Sequence, residues 1–372
     1  MKLLFISHDA TLTGAPMLLL NLIKLVKETN VYTIRIVIKN GQGPLLNEFS
    51  REAEIIAWRK FTGNKNIFRR IKDKLFRVLK VPGTGSTTIQ AWIDSSDVVI
   101  SNTITNGDFL EAFDFSKVKL ISYIHELEIA TSFFTNPHHV SIVKKLTKRF
   151  MVPSAAVADH LLNMGIPGDK IYRLNYFIPF ERPADRAPAS NTTFTVGLVG
   201  TLDWRKGADI ISVIIASFFR KYPYANLVFK WRGAEKKSVE YLRIQYELEK
   251  INCLNKISFE APSKDMSGFY QSIDILLLIS KEDPYPLVVL EAASNKKACI
   301  CFDKSGGAPE FVNSDAGTTI AYLDIETLAD TLLMYCNNKA MCIEKGAVAF
   351  NRYQSLHFNK ELILQQLSTA LN

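Results

Sequence analysis

A repeated alternation of short apolar runs with longer helical patterns constrains this chain more than any other feature. The runs LLFIS (3–7), YTIRIVI (32–38), DVVIS (97–101), VKLISYI (118–124) and RFMVPS (149–154) are continuous and apolar. Amphipathic stretches at 15–27 and 155–164 follow the first and last of them. Strands apolar on both faces, joined through helices, belong in a parallel, doubly wound sheet covered on both sides. A stretch at 177–194, with Pro179, Pro183 and Pro188 and little periodicity, then reads as a linker.

A second series begins at TVGLVGTL (195–202). The pattern predicts a helix at 207–221, a strand at 226–231, a helix at 236–250 and strands at 256–259 and 273–279. A helix at 286–295 and a strand at 298–302 follow, and residues 358–372 form an amphipathic helix. The expected architecture is therefore two Rossmann-like α/β domains. The first covers 1–178, with the helix from about 356 packing back onto it, and the second covers 179–355. Two such domains facing a central cleft would offer the C-terminal edges of two sheets to ligands.

Composition agrees with a globular chain. Of 372 residues, 47% are hydrophobic and 22% charged. No apolar run approaches the ~20 residues needed to span a bilayer. The apolar start, MKLLFIS, is interrupted by His8 and Asp9 and reads as a first strand, not as a cleaved signal. Five cysteines in mostly apolar contexts point to reduced, buried thiols and a cytoplasmic protein. The net charge of +8 is concentrated in part at 64–80, NKNIFRRIKDKLFRVLK, where seven Lys/Arg accompany apolar residues at helical spacing. Such a helix suits an anionic membrane surface, or else packs on its own domain. Nucleic acid is not expected as a partner.

Four loops carry the candidate chemistry. The run 280–310 joins a strand to a helix through Glu282 and Asp283, stiffened by Pro284 and Pro286, and Glu291 lies eight residues after Asp283. Carboxylates there could hold hydroxyl groups while the helix N-terminus holds phosphate. The plainer alternative is an N-cap at Asp283 and a surface Glu291. In the turn 200–207, Arg205 and Lys206 are expected at a helix entrance, where backbone N–H groups and cationic side chains favour an anion. The turn 10–16 contains Gly14, and His125-Glu126 ends the fourth strand. DxD, HExxH, paired CxxC, GxSxG, Walker and GxGxxG patterns are all missing.

The motifs TGAP (13–16), SYIHE (122–126), MVPS (151–154), VGTLDWRKG (199–207), SKEDPYPLVVLEA (280–292) and GGAPEFV (306–312) occur in one order over nearly the whole chain. In that series the chain resembles the retaining glycosyltransferases of family 4, which have the GT-B fold. The resemblance implies transfer of a sugar from a nucleotide-sugar donor to a glycan or lipid-linked glycan acceptor. It implies a role in bacterial surface polysaccharide synthesis at the inner face of the membrane. No metal or other cofactor is expected.

By the same resemblance, the family's paired acidic residues fall on Asp283, with Glu282 beside it, and on Glu291. Glu291 would hold the ribose. Asp283 and the N–H groups of Tyr285, Leu287 and Val288 would hold sugar and phosphate. Thr201 stands where the family has Arg, Lys206 is kept, and Arg205 takes over the Arg role. His125 would lie by the transferred sugar, Gly14 by the donor phosphate, and Asn102 and Glu126 by the acceptor. Alternatives within the architecture are a sugar-nucleotide epimerase, a sugar phosphorylase, or a non-catalytic partner subunit.

Overall fold

The computed structural model describes residues 1–58, 86–179, 193–263 and 265–372. The basic stretch 64–80 lies outside the described residues. The chain divides into two compact units. One contains Met1–Pro153, Val157–Ile178 and Lys360–Asn372; the other contains Ser154–Ala156 and Pro179–Asn359.

Among the described residues the N-terminal unit holds a seven-stranded parallel sheet. Its strands are β1 (Lys2–Ser7), β2 (Thr33–Ile38), β3 (Glu54–Ala57), β4 (Val98–Ser101), β5 (Lys119–Tyr123), β6 (Arg149–Val152) and β7 (Ile171–Arg173). They lie in the order β3-β2-β1-β4-β5-β6-β7. Leu4, Ile6, Val99, Leu120 and Phe150 pack with Ile89, Trp92 and Phe109 in its core. The helix Lys360–Leu371 returns to this unit. There Lys119 Nζ donates to the Leu371 carbonyl at 2.9 Å, and the Asn175 N–H donates to Gln366 Oε1 at 2.9 Å.

The other unit has, among the described residues, six parallel strands: β8 (Phe194–Val199), β9 (Leu227–Arg232), β10 (Ile257–Glu260), β11 (Ile275–Leu278), β12 (Cys299–Phe302) and β13 (Gly317–Ile320). Their order is β10-β9-β8-β11-β12-β13. One face of the sheet buries Val196, Leu198, Phe229, Trp231, Ile275, Leu277, Ile300 and Phe302. Cys299 and Cys301 share the opposite face of β12, and burial pushes the Cys301 thiol up to about 12.

Three short strands, β3, β7 and β13, were not expected from the sequence. In addition, the helix expected from 207 begins only at Ile211, with two 3-10 turns before it, Trp204–Lys206 and Ala208–Ile210. Gly207 separates those turns at φ +76°, which breaks the right-handed path. A side chain there would also strike the Ile279 carbonyl oxygen, 2.2 Å from an added Cβ.

In each sheet the strand order reverses once, between β1 and β4 and between β8 and β11. At such a point the loops leave toward opposite faces and open a crevice at the carboxyl ends of the strands.

Candidate functional site

In the C-terminal unit the loops after β8 and β11 meet at the switch point. Lys206 Nζ lies 2.6 Å from Asp283 Oδ2. The Lys281 N–H donates to the Arg205 carbonyl at 2.8 Å. The loop after β12 joins them: Asp283 N–H donates to the Ser305 carbonyl and Gly307 N–H to the Asp283 carbonyl, at 2.8 and 3.0 Å. Gly306, at φ +122°, permits this approach, since a Cβ there would sit 1.8 Å from the Asp283 oxygen. Asp283 and Glu282 are both buried.

Asp283 is not the helix cap. The helix Leu287–Ser294 is preceded by Pro286, with no side-chain cap. The N–H groups of Leu287 and Val288 in its first turn have no acceptor among the described residues. This helix end is therefore ready for an anion. Tyr285 is turned inward, its hydroxyl 2.9 Å from Nε2 of the buried His357.

Glu291 stands just over one turn into that helix and is not a surface residue. Its Oε2 accepts from the Tyr270 hydroxyl at 2.7 Å. Burial raises the Glu291 carboxyl above its usual range, and the Tyr270 hydrogen bond offsets part of this. Tyr270 lies 21 positions away in sequence and carried no local signal.

Arg205 and Lys206 do not stand at an α-helix entrance. They occupy the 3-10 turn Trp204–Lys206, whose N-cap is Asp203. Asp203 Oδ1 accepts from the Lys206 N–H at 3.0 Å, and Thr201 Oγ1 donates to Asp203 Oδ2. A carboxylate already fills the place expected for an anion, and Thr201 is engaged in holding it. Only the side chains of the pair remain for phosphate. Arg205 Nε is buried with no hydrogen-bond partner among the described residues. The signal for Asp203 was present: an Asp three residues before a turn's last N–H is a capping pattern.

In the N-terminal unit a separate set of polar groups gathers at its own switch point. Asn102, after β4, donates from Nδ2 to the Ala15 carbonyl at 2.8 Å. Its Oδ1 must therefore be the acceptor for His125 Nε2, 2.9 Å away. The proton of the ring sits on Nε2, and Nδ1 accepts from the Tyr176 hydroxyl at 3.0 Å. Burial, with His8 adding to it, pushes the His125 pKa down to about 3, so the ring is neutral.

The structure corrects the roles expected for Asn102 and Glu126. Asn102 is fully buried and both ends of its amide serve protein groups. Glu126 is buried and accepts from the N–H groups of Ile104 and His125 at 3.2 and 3.0 Å, and from Thr103 Oγ1. Both residues position the His125 loop. Gly14 is the first residue of the helix Gly14–Glu28, with Thr13 at its N-cap, and is not in a left-handed turn.

Residues 181–348 match the family described as glycosyl transferases group 1. An uncharacterized glycosyltransferase of Haemophilus influenzae is 26% identical over 200 residues, 52% of this chain and 55% of that protein. The amylovoran biosynthesis glycosyltransferase AmsD of Erwinia amylovora is 24% identical over 158 residues, 40% of this chain and 44% of that one. The chain thus spans about half the length of these curated relatives. Among solved structures, Anabaena Alr3699/HepE in complex with UDP has a TM-score of 0.77 at 16% identity, over 100% of this chain and 99% of that one. TarM has a TM-score of 0.76 at 12% identity, over 100% and 98%. The fold is that of these neighbours, GT-B with its two Rossmann-like parallel-sheet units.

Proposed function

From the glycosyl transferases group 1 domain that its C-terminal unit carries, we propose that this chain transfers a sugar from a nucleoside-diphosphate sugar to a glycan or lipid-linked glycan, with retention and without a metal ion. One observation carries the reading. Lys206 and Asp283 join two loops at the switch point between β8 and β11, where an open α/β sheet takes its ligand.

The roles follow from chemistry. Glu291, held by Tyr270, accepts from ribose hydroxyls. The N–H groups of Leu287 and Val288, with Arg205 and Lys206, receive the diphosphate and the charge that develops as it leaves. Oδ1 of Asp283 accepts from sugar hydroxyls while Oδ2 keeps Lys206 in place. In the reaction the bond from the anomeric carbon to the phosphate oxygen breaks and its electron pair stays on the phosphate. The sugar passes through an oxocarbenium-like state. The acceptor oxygen bonds the anomeric carbon on the same face, and its proton passes to the departing phosphate. Such a route needs no side-chain base. That agrees with His125, whose Nδ1 lone pair is already taken by Tyr176.

Alr3699/HepE has been solved with UDP-glucose, so a UDP-sugar is the first donor class to test. Calorimetric titration with UDP, GDP and dTDP should give binding to one of them. Binding to none would refute a nucleotide-sugar site. Product anomers read by NMR test retention. Activity lost completely in EDTA and restored by Mn²⁺ would overturn the metal-free assignment. A lipid-linked acceptor places the chain at the cytoplasmic membrane face. Flotation with anionic liposomes, unchanged when Arg69, Arg70 and Lys72 are neutralised, would remove the role of 64–80.

A further inference from the structure

Beside the Lys206–Asp283 pair, the C-terminal unit carries a second group of side chains that the roles above do not use. Trp204 is 50% exposed, whereas Trp92 and Trp231 are buried. A half-exposed indole offers a flat apolar face to a ligand. Its ring is held in place. Lys281 Nζ lies 5.1 Å from the ring centroid, and Lys281 is paired with Asp209. The Lys281 side chain is almost wholly covered, while the Asp209 carboxylate remains a third exposed.

Tyr322, just beyond β13, has its hydroxyl pKa raised by burial and, in addition, by the charge of Asp209. It is 38% exposed and sits edge-on to Phe302, ring centroids 6.1 Å apart. Next to it Leu323 is also exposed, at φ +62°, a left-handed conformation that costs a branched residue energy. All of these groups stand beyond the carboxyl ends of β8, β11 and β13.

A flat aromatic ring flanked by a paired carboxylate and ammonium has a definite complement. A pyranose presents an apolar C–H face that fits on an indole. Its rim of hydroxyl groups can donate to the exposed edge of the Asp209 carboxylate, which Lys281 holds in place. We propose that Trp204 and the Asp209–Lys281 pair form a saccharide subsite, beside the nucleotide pocket, that binds a neutral sugar unit of the glycan this protein handles. The subsite goes beyond the catalytic reading, and its test does not depend on turnover.

The full chain is titrated with a panel of neutral tetrasaccharides of glucose, galactose, mannose and N-acetylglucosamine. The readouts are saturation-transfer NMR on the sugar C–H protons and tryptophan emission. Each titration is run alone and with saturating UDP. At least one tetrasaccharide should bind, with and without UDP, and shift the emission. Trp204→Ala should weaken it about tenfold or more, and Trp204→Phe should restore part of the loss. Trp204 lies at the surface, so circular dichroism of both variants should match the parent. Three results would overturn the proposal: no saturation transfer to any tetrasaccharide, transfer unchanged in Trp204→Ala, or transfer abolished by UDP, which would put the sugar in the donor pocket. Failure of nucleotides to bind, with Trp204-dependent sugar binding intact, would count against the transferase reading and leave the subsite standing.

Discussion

Lys206 Nζ and Asp283 Oδ2 lie 2.6 Å apart, 77 positions from each other in sequence. The pair is asymmetric: the Asp283 side chain is buried and Lys206 keeps about a quarter of its surface. Removing each partner therefore has a different outcome. Lys206→Ala leaves a buried carboxylate without its cation and should cost about 1–3 kcal/mol of stability. Asp283→Asn leaves a lysine that water still reaches and should cost under about 1 kcal/mol. Both should lower kcat/KM at least about tenfold, because each removes charge at the proposed donor site. Urea denaturation and steady-state kinetics check this, and equal stability losses would contradict the asymmetry.

Tyr270→Phe should act chiefly on Glu291, since the hydroxyl's other contact, with the Val288 carbonyl, is longer at 3.3 Å. It strips a hydrogen bond from a buried carboxyl, at a cost of about 1–3 kcal/mol. The hydroxyl now holds the Glu291 pKa down against burial, so its removal raises that pKa further. A carboxylate needed for ribose binding would then form only at higher pH. The acid limb of nucleotide affinity should move to higher pH in the variant, measured by calorimetry across pH 4–8 (about four units). An unshifted limb would separate Glu291 from nucleotide binding.

His125 should remain neutral well into acid. Its folded pKa is about 3 against an ordinary 6.5. The unfolded chain takes up a proton as pH falls below 6.5 and the folded chain does not. The neutral ring thus contributes stability that is present above the unfolded value and lost as pH falls toward the folded one. The slope from this group is at most about 1.4 kcal/mol per pH unit. His8 is lowered too, also by burial, and adds in the same sense. An imidazole NMR signal of His125 that titrates near 6.5 would contradict the hydrogen-bond assignment.

Asn102→Asp tests that assignment from the other side. A carboxylate cannot donate to the Ala15 carbonyl, 2.8 Å from the present amide nitrogen. Two acceptors would face one another in a buried place. Loss of about 2–4 kcal/mol is expected, with Asn102→Ala less harmful because it removes both partners' conflict. Thermal melting of the two variants gives the order.

The alternation of apolar runs made both sheets legible because each central strand is buried on both faces, which leaves a continuous run of Val, Ile and Leu. The strands β3 and β7 escaped because they lie at sheet edges, are three to four residues long and mix charged with apolar residues. Spacing placed Glu291 and Asp283 on the right loop and helix. It could not supply their partners, Tyr270 and Lys206, because tertiary structure brings those together. The start of the helix at Ile211 was misplaced because the left-handed Gly207 interrupts an otherwise helical pattern. Asn102 and Glu126 were polar residues at strand ends, and polarity alone does not distinguish a group that meets a ligand from one that holds a loop.

The return of the helix Lys360–Leu371 to the N-terminal unit has a consequence for the order of synthesis. Lys119, Arg149 and Asn175 reach their partners in that helix across 191 to 252 positions of sequence. Every residue of the second unit is translated before those contacts can form. The first sheet therefore lacks its last helix while the other unit is being made. During that interval a strand edge without its final neighbours is a place where the nascent chain could pair with another chain.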